Sequence, residues 1–257
     1  MTLPQSFQVA VAFIFGCVMG SFANVLIHRL PRDESIAWPR SYCPRCGDTI
    51  PAFFNIPILA YAVLRGRCRN CRARISLRYP FVEALTGVLF VALLLHTGPS
   101  WRLLIHFFLA TALIAITFID AEHQIIPNAI TYPGIALALP LAWLVPPPTL
   151  LNAGLGMTIG YGMMWSVATF YHWRTGRMGL GFGDVKLIAM LGGFLGLQTV
   201  LGILVLGSLM GLAHGMVVIA LRGGGRQTQI PFGPALALAG ILHLFDPDLL
   251  PRLLDSP

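Results

Sequence analysis

The sequence predicts an all-α polytopic membrane protein of about eight transmembrane helices, with a small basic loop domain between the first and the second. Three observations predict it. Hydrophobic residues make up 56% of the 257 and charged residues 11%, with a mean hydropathy of +0.75, whereas a soluble domain carries roughly 25% charged residues. The apolar residues gather into runs of about 20, the length that crosses a bilayer. The basic charge is confined to one segment: Arg29 to Arg78 holds ten arginines against Asp33, Glu34 and Asp48, which accounts for the whole net charge of +7.

The expected spans are 6–27, 81–97, 102–120, 129–145, 151–172, 184–197, 199–221 and 231–246. The sixth is short and merges into the seventh at Leu197 and Gln198. An even number of spans puts both termini on one side. With the loop 28–80 in the cytoplasm, fifteen Lys and Arg residues fall inside and only Arg102 and Arg252 outside, the asymmetry of the positive-inside rule. Both termini are then periplasmic, and Asp120 and Asp184 lie at the cytoplasmic ends of their helices. The first span has no basic residue before Arg29 and is too long for a signal peptide, so it reads as retained, with Cys17 a small packing residue. No internal repeat is visible, and Pro146-Pro147-Pro148 reads as a short external turn. The expected division is a first transmembrane helix (1–27), a cytoplasmic loop domain (28–80) and a seven-helix membrane domain (81–257).

Within the basic loop, Cys43-Pro44-Arg45-Cys46 and Cys68-Arg69-Asn70-Cys71 form two C-x2-C pairs separated by 21 residues, with Gly47 and Gly66 beside them to permit tight knuckles. That spacing is close to a zinc ribbon, and four thiolates suit a closed tetrahedral zinc site. A loop of about 50 residues without a large apolar core needs such a staple. Two disulfides or four idle thiols are the alternatives; cytoplasmic redox conditions argue against the first. The loop arginines face anionic lipid headgroups rather than nucleic acid, because the flanking spans hold the loop against the membrane.

Between Ala84 and Phe245 the chain has only three carboxylates, Asp120, Glu122 and Asp184. An ionisable group at the edge of an apolar span is costly unless it faces protein or water, so its default reading is functional. Asp120 ends a span, where the helix dipole disfavours a second negative charge. Asp184 opens one, after Gly179-Leu180-Gly181-Phe182-Gly183, where the dipole favours the ionised form. Asp184 is therefore expected to rest ionised while Asp120 holds the proton, the split an aspartyl dyad uses to activate water and protonate a leaving amine. The alternating glycines would let a substrate approach the backbone closely. The bland alternative makes Asp184 a helix cap and Asp120 a solvated loop residue. Glu122 and His123 read as hydrated loop residues, and Lys186, the only lysine, either snorkels or pairs with Asp184.

These residues resemble the type IV prepilin peptidases, membrane aspartyl proteases of the Gly-x-Gly-Asp kind. Gly181-Phe182-Gly183-Asp184 with Val185-Lys186-Leu187 resembles that family's signature. Gly20-Ser21-Phe22-Ala23-Asn24-Val25 with Arg29-Leu30-Pro31 resembles its N-terminal motif, and the cysteine pairs and Arg78-Tyr79-Pro80-Phe81-Val82-Glu83 match as well. Ile230-Pro231-Phe232-Gly233-Pro234-Ala235 resembles its C-terminal signature. The resemblance implies cleavage of the basic leader of type IV prepilins and type II secretion pseudopilins at the cytoplasmic face of the bacterial inner membrane. It puts Asp120 and Asp184 in the catalytic pair and Gly181, Gly183 and Lys186 in the substrate-facing loop. It also implies structural zinc on Cys43, Cys46, Cys68 and Cys71, and N-methylation of the new N-terminus from S-adenosylmethionine. One departure is Asn128, where the family often has a second acid after Ile-Pro; it leaves Asp120 without a competing carboxylate.

Two other classes fit less well. A proton-coupled transporter would also hold intramembrane carboxylates, but near the midplane between related halves. A zinc hydrolase needs an open metal position, which four cysteines close.

Overall fold

The computed structural model describes residues 3–51, 56–177, 179–222 and 231–255; Arg226 and Ile230, which figure in the charge count and the C-terminal signature, lie outside them. Every apolar run expected to span is a helix, and among the described residues the only β pairing is two isolated bridges. The chain divides into two compact units, Met1–Ala115 and Ile116–Pro257.

The first unit is built on α1 (Gln5–Arg29) and α3 (Arg78–Thr97). Their antiparallel register can be read from contact to contact. A Cβ on Gly16 would lie 2.7 Å from the Cα of Gly87, and one on Gly20 would lie 2.7 Å from the Cα of Glu83. One turn further along, Asn24 Nδ2 donates to the Tyr79 carbonyl at 3.1 Å. Lipid is as apolar as leucine, so spans associate through close backbone approach and interhelical hydrogen bonds, and this seam supplies both. Phe90 of α3 stacks on Phe107 at the start of α4 (Trp101–His123), with ring centroids 3.8 Å apart.

The loop leaves α1 through a 3-10 turn (Leu30–Arg32) and is tied down by Arg29, whose buried guanidinium donates to the carbonyls of Ser35 (2.8 Å) and Pro39 (2.6 Å). Arg29 therefore serves the structure of the loop. Two knuckles follow, with the short α2 (Leu59–Val63) between them. In the first, Gly47 N–H donates to Cys43 O and Cys43 N–H to Asp48 O; in the second, Arg72 N–H donates to Cys68 O and Cys68 N–H to Ala73 O. Gly47 takes the left-handed conformation at φ 73°, as the sequence led us to expect. The matching position of the second knuckle is Arg72 (φ 57°), not Gly66, which instead closes α2 by donating its N–H to Tyr61 O.

The second unit contains the end of α4, then α5 (Asn128–Leu144), α6 (Leu150–Thr175), α7 (Phe182–Leu195), α8 (Leu197–Arg222), α9 (Gly233–Phe245) and α10 (Leu249–Asp255). Helix α7 is its axis, packed by α5, α6, α8 and α9 and buried continuously from Leu187 to Phe194. A helix apolar on every side is one enclosed by others. The backbones of α6 and α7 meet at Gly156 and Gly192, where a Cβ on either would strike the other's carbonyl. The break between the sixth and seventh apolar runs falls at Gly196, whose φ of 88° ends α7 and lets α8 begin at Leu197.

Among the described residues, four helical stretches are long and apolar enough to cross a membrane: Gln5–Arg32, Arg78–Thr97, Trp101–His123 and Leu197–Leu221. Helices α5 and α9 are apolar but shorter.

Candidate active site

Helix α4 runs one turn past the expected end at residue 120, to His123, where Gln124 closes it by donating to the Asp120 carbonyl at 2.9 Å. Asp120 thus sits in the last turn and is only 5% exposed. Its Oδ2 accepts the backbone N–H of Gly233 at 2.9 Å, from a residue 113 positions away in sequence. Gly233 is the first residue of α9 and Pro234, the next, has no N–H, so this turn presents its donor at Gly233. The approach requires glycine: a Cβ there would lie 2.7 Å from Asp120 Oδ2. Glu122 and His123 belong to the same final turn rather than to a loop; both are exposed, and their side chains lie 4.0 Å apart.

Asp184 is the third residue of α7, after Gly181 at the N-cap, and is 8% exposed. The backbone at Gly181 and at Asp184 itself serves its carboxylate. Among the described residues its Oδ1 is nonetheless buried with no hydrogen-bond partner, a cost that a helix cap or a solvated residue does not carry. Ile126 packs against a glycine beside each aspartate: it lies 2.8 Å from where a Gly183 Cβ would be and 3.1 Å from where a Gly233 Cβ would be. The two carboxylates are within electrostatic reach of each other. Because Asp120 also faces the N-terminal turn of a helix, α9, the helix-end argument that assigned the proton to Asp120 loses its asymmetry. The two acids are better described as one pair.

The neighbouring residues of the signature divide. Gly181 is exposed, and a Cβ there would lie 3.2 Å from Asp184 Oδ2; a Cβ on half-buried Gly183 would lie 2.8 Å from Ile126 Cβ. Lys186 does not pair with Asp184: its Nζ donates to Asn128 Oδ1 at 2.6 Å and lies 4.9 Å from the centroid of the Tyr132 ring.

In the first unit, the sulfurs of Cys43, Cys46, Cys68 and Cys71 all lie within 4.8 Å of one another, and Cys43 and Cys71 are 3.9 Å apart. A disulfide needs about 2.05 Å, while a tetrahedron with metal–sulfur bonds of about 2.3 Å has edges of about 3.8 Å. Burial works against the Cys43 thiolate, but the N–H groups of Arg45 and Cys46 and the neighbouring thiols outweigh it and bring the thiol down to about 7. The cluster could hold a metal ion, and its donors fit a soft divalent one.

Comparison with known proteins supplies the family. Residues 14–97 match the bacterial peptidase A24 N-terminal domain, and residues 107–216, which include both aspartates, match the type IV leader peptidase family. A prepilin leader peptidase/N-methyltransferase of Aeromonas hydrophila is 38% identical over 95% of this chain and 92% of its own length. The chain belongs to the type IV leader peptidase family. Proteins of the same name from Pseudomonas aeruginosa (35% identical, covering 97% of this chain and 93% of theirs) and Neisseria gonorrhoeae (38%, 93% and 91%) are similarly alike. No solved structure matches the chain at a significant level.

As a member of this family the chain has two features that reasoning on single residues passed over. Gly233 entered only as part of a signature, yet its N–H is the donor that Asp120 accepts. Ile126 carried no chemical signal, yet it packs against both Gly183 and Gly233. A Gly-Pro step opening an apolar helix was the available clue to the first; nothing pointed to the second.

Proposed function

We propose that this chain is a membrane aspartyl endopeptidase that removes the leader of type IV prepilins and type II secretion pseudopilins, then N-methylates the exposed residue with S-adenosylmethionine as donor. The observation that carries the peptidase reading is a pair of buried carboxylates, Asp120 and Asp184, within electrostatic reach of each other inside the family's matched segment. Asp184 Oδ1, which has no partner among the described residues, is the acceptor left for water or substrate. With one proton shared between them, one carboxylate takes a proton from water as it attacks the scissile carbonyl. The other gives its proton to the departing amine. The Gly233 N–H holds Asp120 in place throughout.

The four cysteines would hold zinc as a structural staple, closing their shell and leaving the metal no catalytic position. In the division this reading adopts, residues 1–27 form the first span, 28–80 the cytoplasmic cysteine domain and 81–257 a seven-helix protease domain. Eight spans would place the active site at the cytoplasmic face of the inner membrane. The arginine excess of the loop supports that orientation and contact with anionic lipid. Presentation of a substrate whose own helix shares the bilayer raises its effective concentration at the pair.

The test is Asp120→Asn and Asp184→Asn in cells co-expressing one prepilin, read by mass spectrometry. Each should lower cleavage by about 10²–10⁴-fold, the worth of general acid–base catalysis, while metal content stays at the wild-type level. Normal processing in either variant would remove the aspartyl mechanism.

A further inference from the structure

Helix α8 runs on past the aspartate pair. It has 26 residues, about 39 Å of helix against a hydrocarbon core of about 30 Å. Its register on α9 fixes the level of the pair. A Cβ on Gly207 would lie 2.8 Å from Leu236 Cδ2, and one on Gly211 would lie 3.0 Å from Phe232 Cδ2. Phe232 is the N-cap of α9, and the next residue, Gly233, gives its N–H to Asp120. Asp120 is therefore held near the level of Gly211. Helix α8 continues from there to Arg222, about 16 Å further along its axis.

His214 stands in that extension. Gly207, Gly211 and His214 are spaced i, i+4, i+7 and so share one face of α8. The two glycines turn that face to α9. His214 carries it one turn beyond, over the end of α9 that donates to Asp120. It is exposed, as is every residue from Leu212 to Leu221 except Gly215 and Val218. Its exposed neighbours Met216, Val217, Ile219 and Leu221 are apolar. An imidazole on the open face of such a span is costly in lipid, and its default reading is functional.

Cleavage at this depth makes a demand that the aspartates alone do not meet. A helical peptide has its carbonyls engaged, so the leader junction must unwind to reach the pair, and the freed N–H and C=O groups then need partners where water is scarce. A neutral imidazole has one donor and one acceptor, the complement of one freed peptide unit. We infer that the stretch of α8 from Leu212 to Leu221 is where the substrate's apolar helix docks, with His214 hydrogen-bonding the unwound backbone beside the bond to be cut. The inference rests on the peptidase reading above and gives the substrate its approach to the pair. Lipid tails would cover the apolar residues equally well but offer nothing to the imidazole. A second copy of the chain would cover His214 without accounting for its place over the turn that donates to Asp120.

The test uses the full chain in cells co-expressing one prepilin. The photoreactive p-benzoylphenylalanine takes the place of Val217 or Leu221, which share the His214 face, in an Asp184→Asn background that preserves the precursor. Irradiation should join the chain to the prepilin near its leader junction. The same group in place of Trp143, exposed at the end of α5 remote from Asn128, should not. The second arm measures cleavage by purified variants in lipid nanodiscs. His214→Leu should lower kcat/KM about tenfold, the worth of a hydrogen bond to a group otherwise left unpaired. His214→Gln, which keeps a donor and an acceptor, should return to within about threefold of the wild type. Adducts with lipid or with a second copy alone, wild-type kcat/KM in His214→Leu, or an equal deficit in both variants would overturn the docking site and leave the peptidase reading standing. A wild type that leaves the prepilin uncut would overturn both.

Discussion

Replacing Gly233 with alanine tests the geometry of the aspartate pair without touching a titratable group. The new Cβ would lie 2.7 Å from Asp120 Oδ2, 3.0 Å from its Cγ and 3.1 Å from Ile126 Cδ1, whereas ordinary contact begins at 3.4 Å. The carboxylate or the start of α9 must therefore yield by about 0.7 Å, the gap between 2.7 and 3.4 Å, stretching the 2.9 Å hydrogen bond from Gly233. A displacement of about 1 Å at a catalytic group costs on the order of 10²-fold in rate. Loss of a hydrogen bond to a charged group costs about 1.5–3 kcal/mol, which is roughly 10- to 150-fold. Both routes lead to a fall in kcat of about 10- to 100-fold, with KM little altered because the substrate's own contacts are untouched. The assay is cleavage of a purified prepilin in mixed micelles at saturating substrate, beside methylation of a pre-cleaved pilin, which should proceed normally. Cleavage within about threefold of wild type would refute the claim that this close approach positions Asp120. Equal loss of both activities would show a folding defect instead.

Three further outcomes follow from the same contacts. The purified chain should hold one zinc ion, measured by elemental mass spectrometry. Cys43→Ser should lose it together with thermal stability before cleavage is affected; a metal-free wild type with a stable loop would sink the staple. Gly20→Leu forces a side chain into the Cα of Glu83 at 2.7 Å and the Val82 carbonyl at 2.9 Å. It should destabilise the first unit by about 1–3 kcal/mol, the range for overpacking, as a lowered midpoint in hydrogen exchange of α1 and α3. Lys186→Met removes a contact to Asn128 at an exposed position. It should lower kcat/KM by less than about tenfold and leave unfolding unchanged; a loss as deep as that of Asp184→Asn would put the ammonium in the proton chemistry.

Much of the fold could be read from the sequence because lipid-facing helices are specified by composition. Each apolar run became a helix, and even the doubtful boundary near Leu197 lay one residue from the glycine that makes it. What composition could not give was pairing. The seam of Gly16, Gly20 and Asn24 against Gly87, Glu83 and Tyr79 is written in small and polar residues one helical turn apart, but its partner helix lies across a loop of nearly fifty residues. Gly66 shows the same limit at short range: its place beside a cysteine suggested a knuckle turn, but the chain uses it to stop α2.

The aspartates stood out because charge is rare among apolar residues, and both are buried. Their protonation could not be read in the same way. The sequence offered each acid only its own helix, one C-terminal and one N-terminal, and from that difference came an ionised Asp184 and a protonated Asp120. The fold brings a third helix end to the pair, the N-terminus of α9 at Gly233. A backbone donor contributed from far along the chain changes a carboxylate's surroundings as much as its own helix dipole does. On the proposed mechanism, the C-terminal signature around Gly233 is thus part of the pair's electrostatics, although it carries no titratable side chain. Removing that donor should therefore change catalysis through Asp120 alone, a narrower effect than removing either acid.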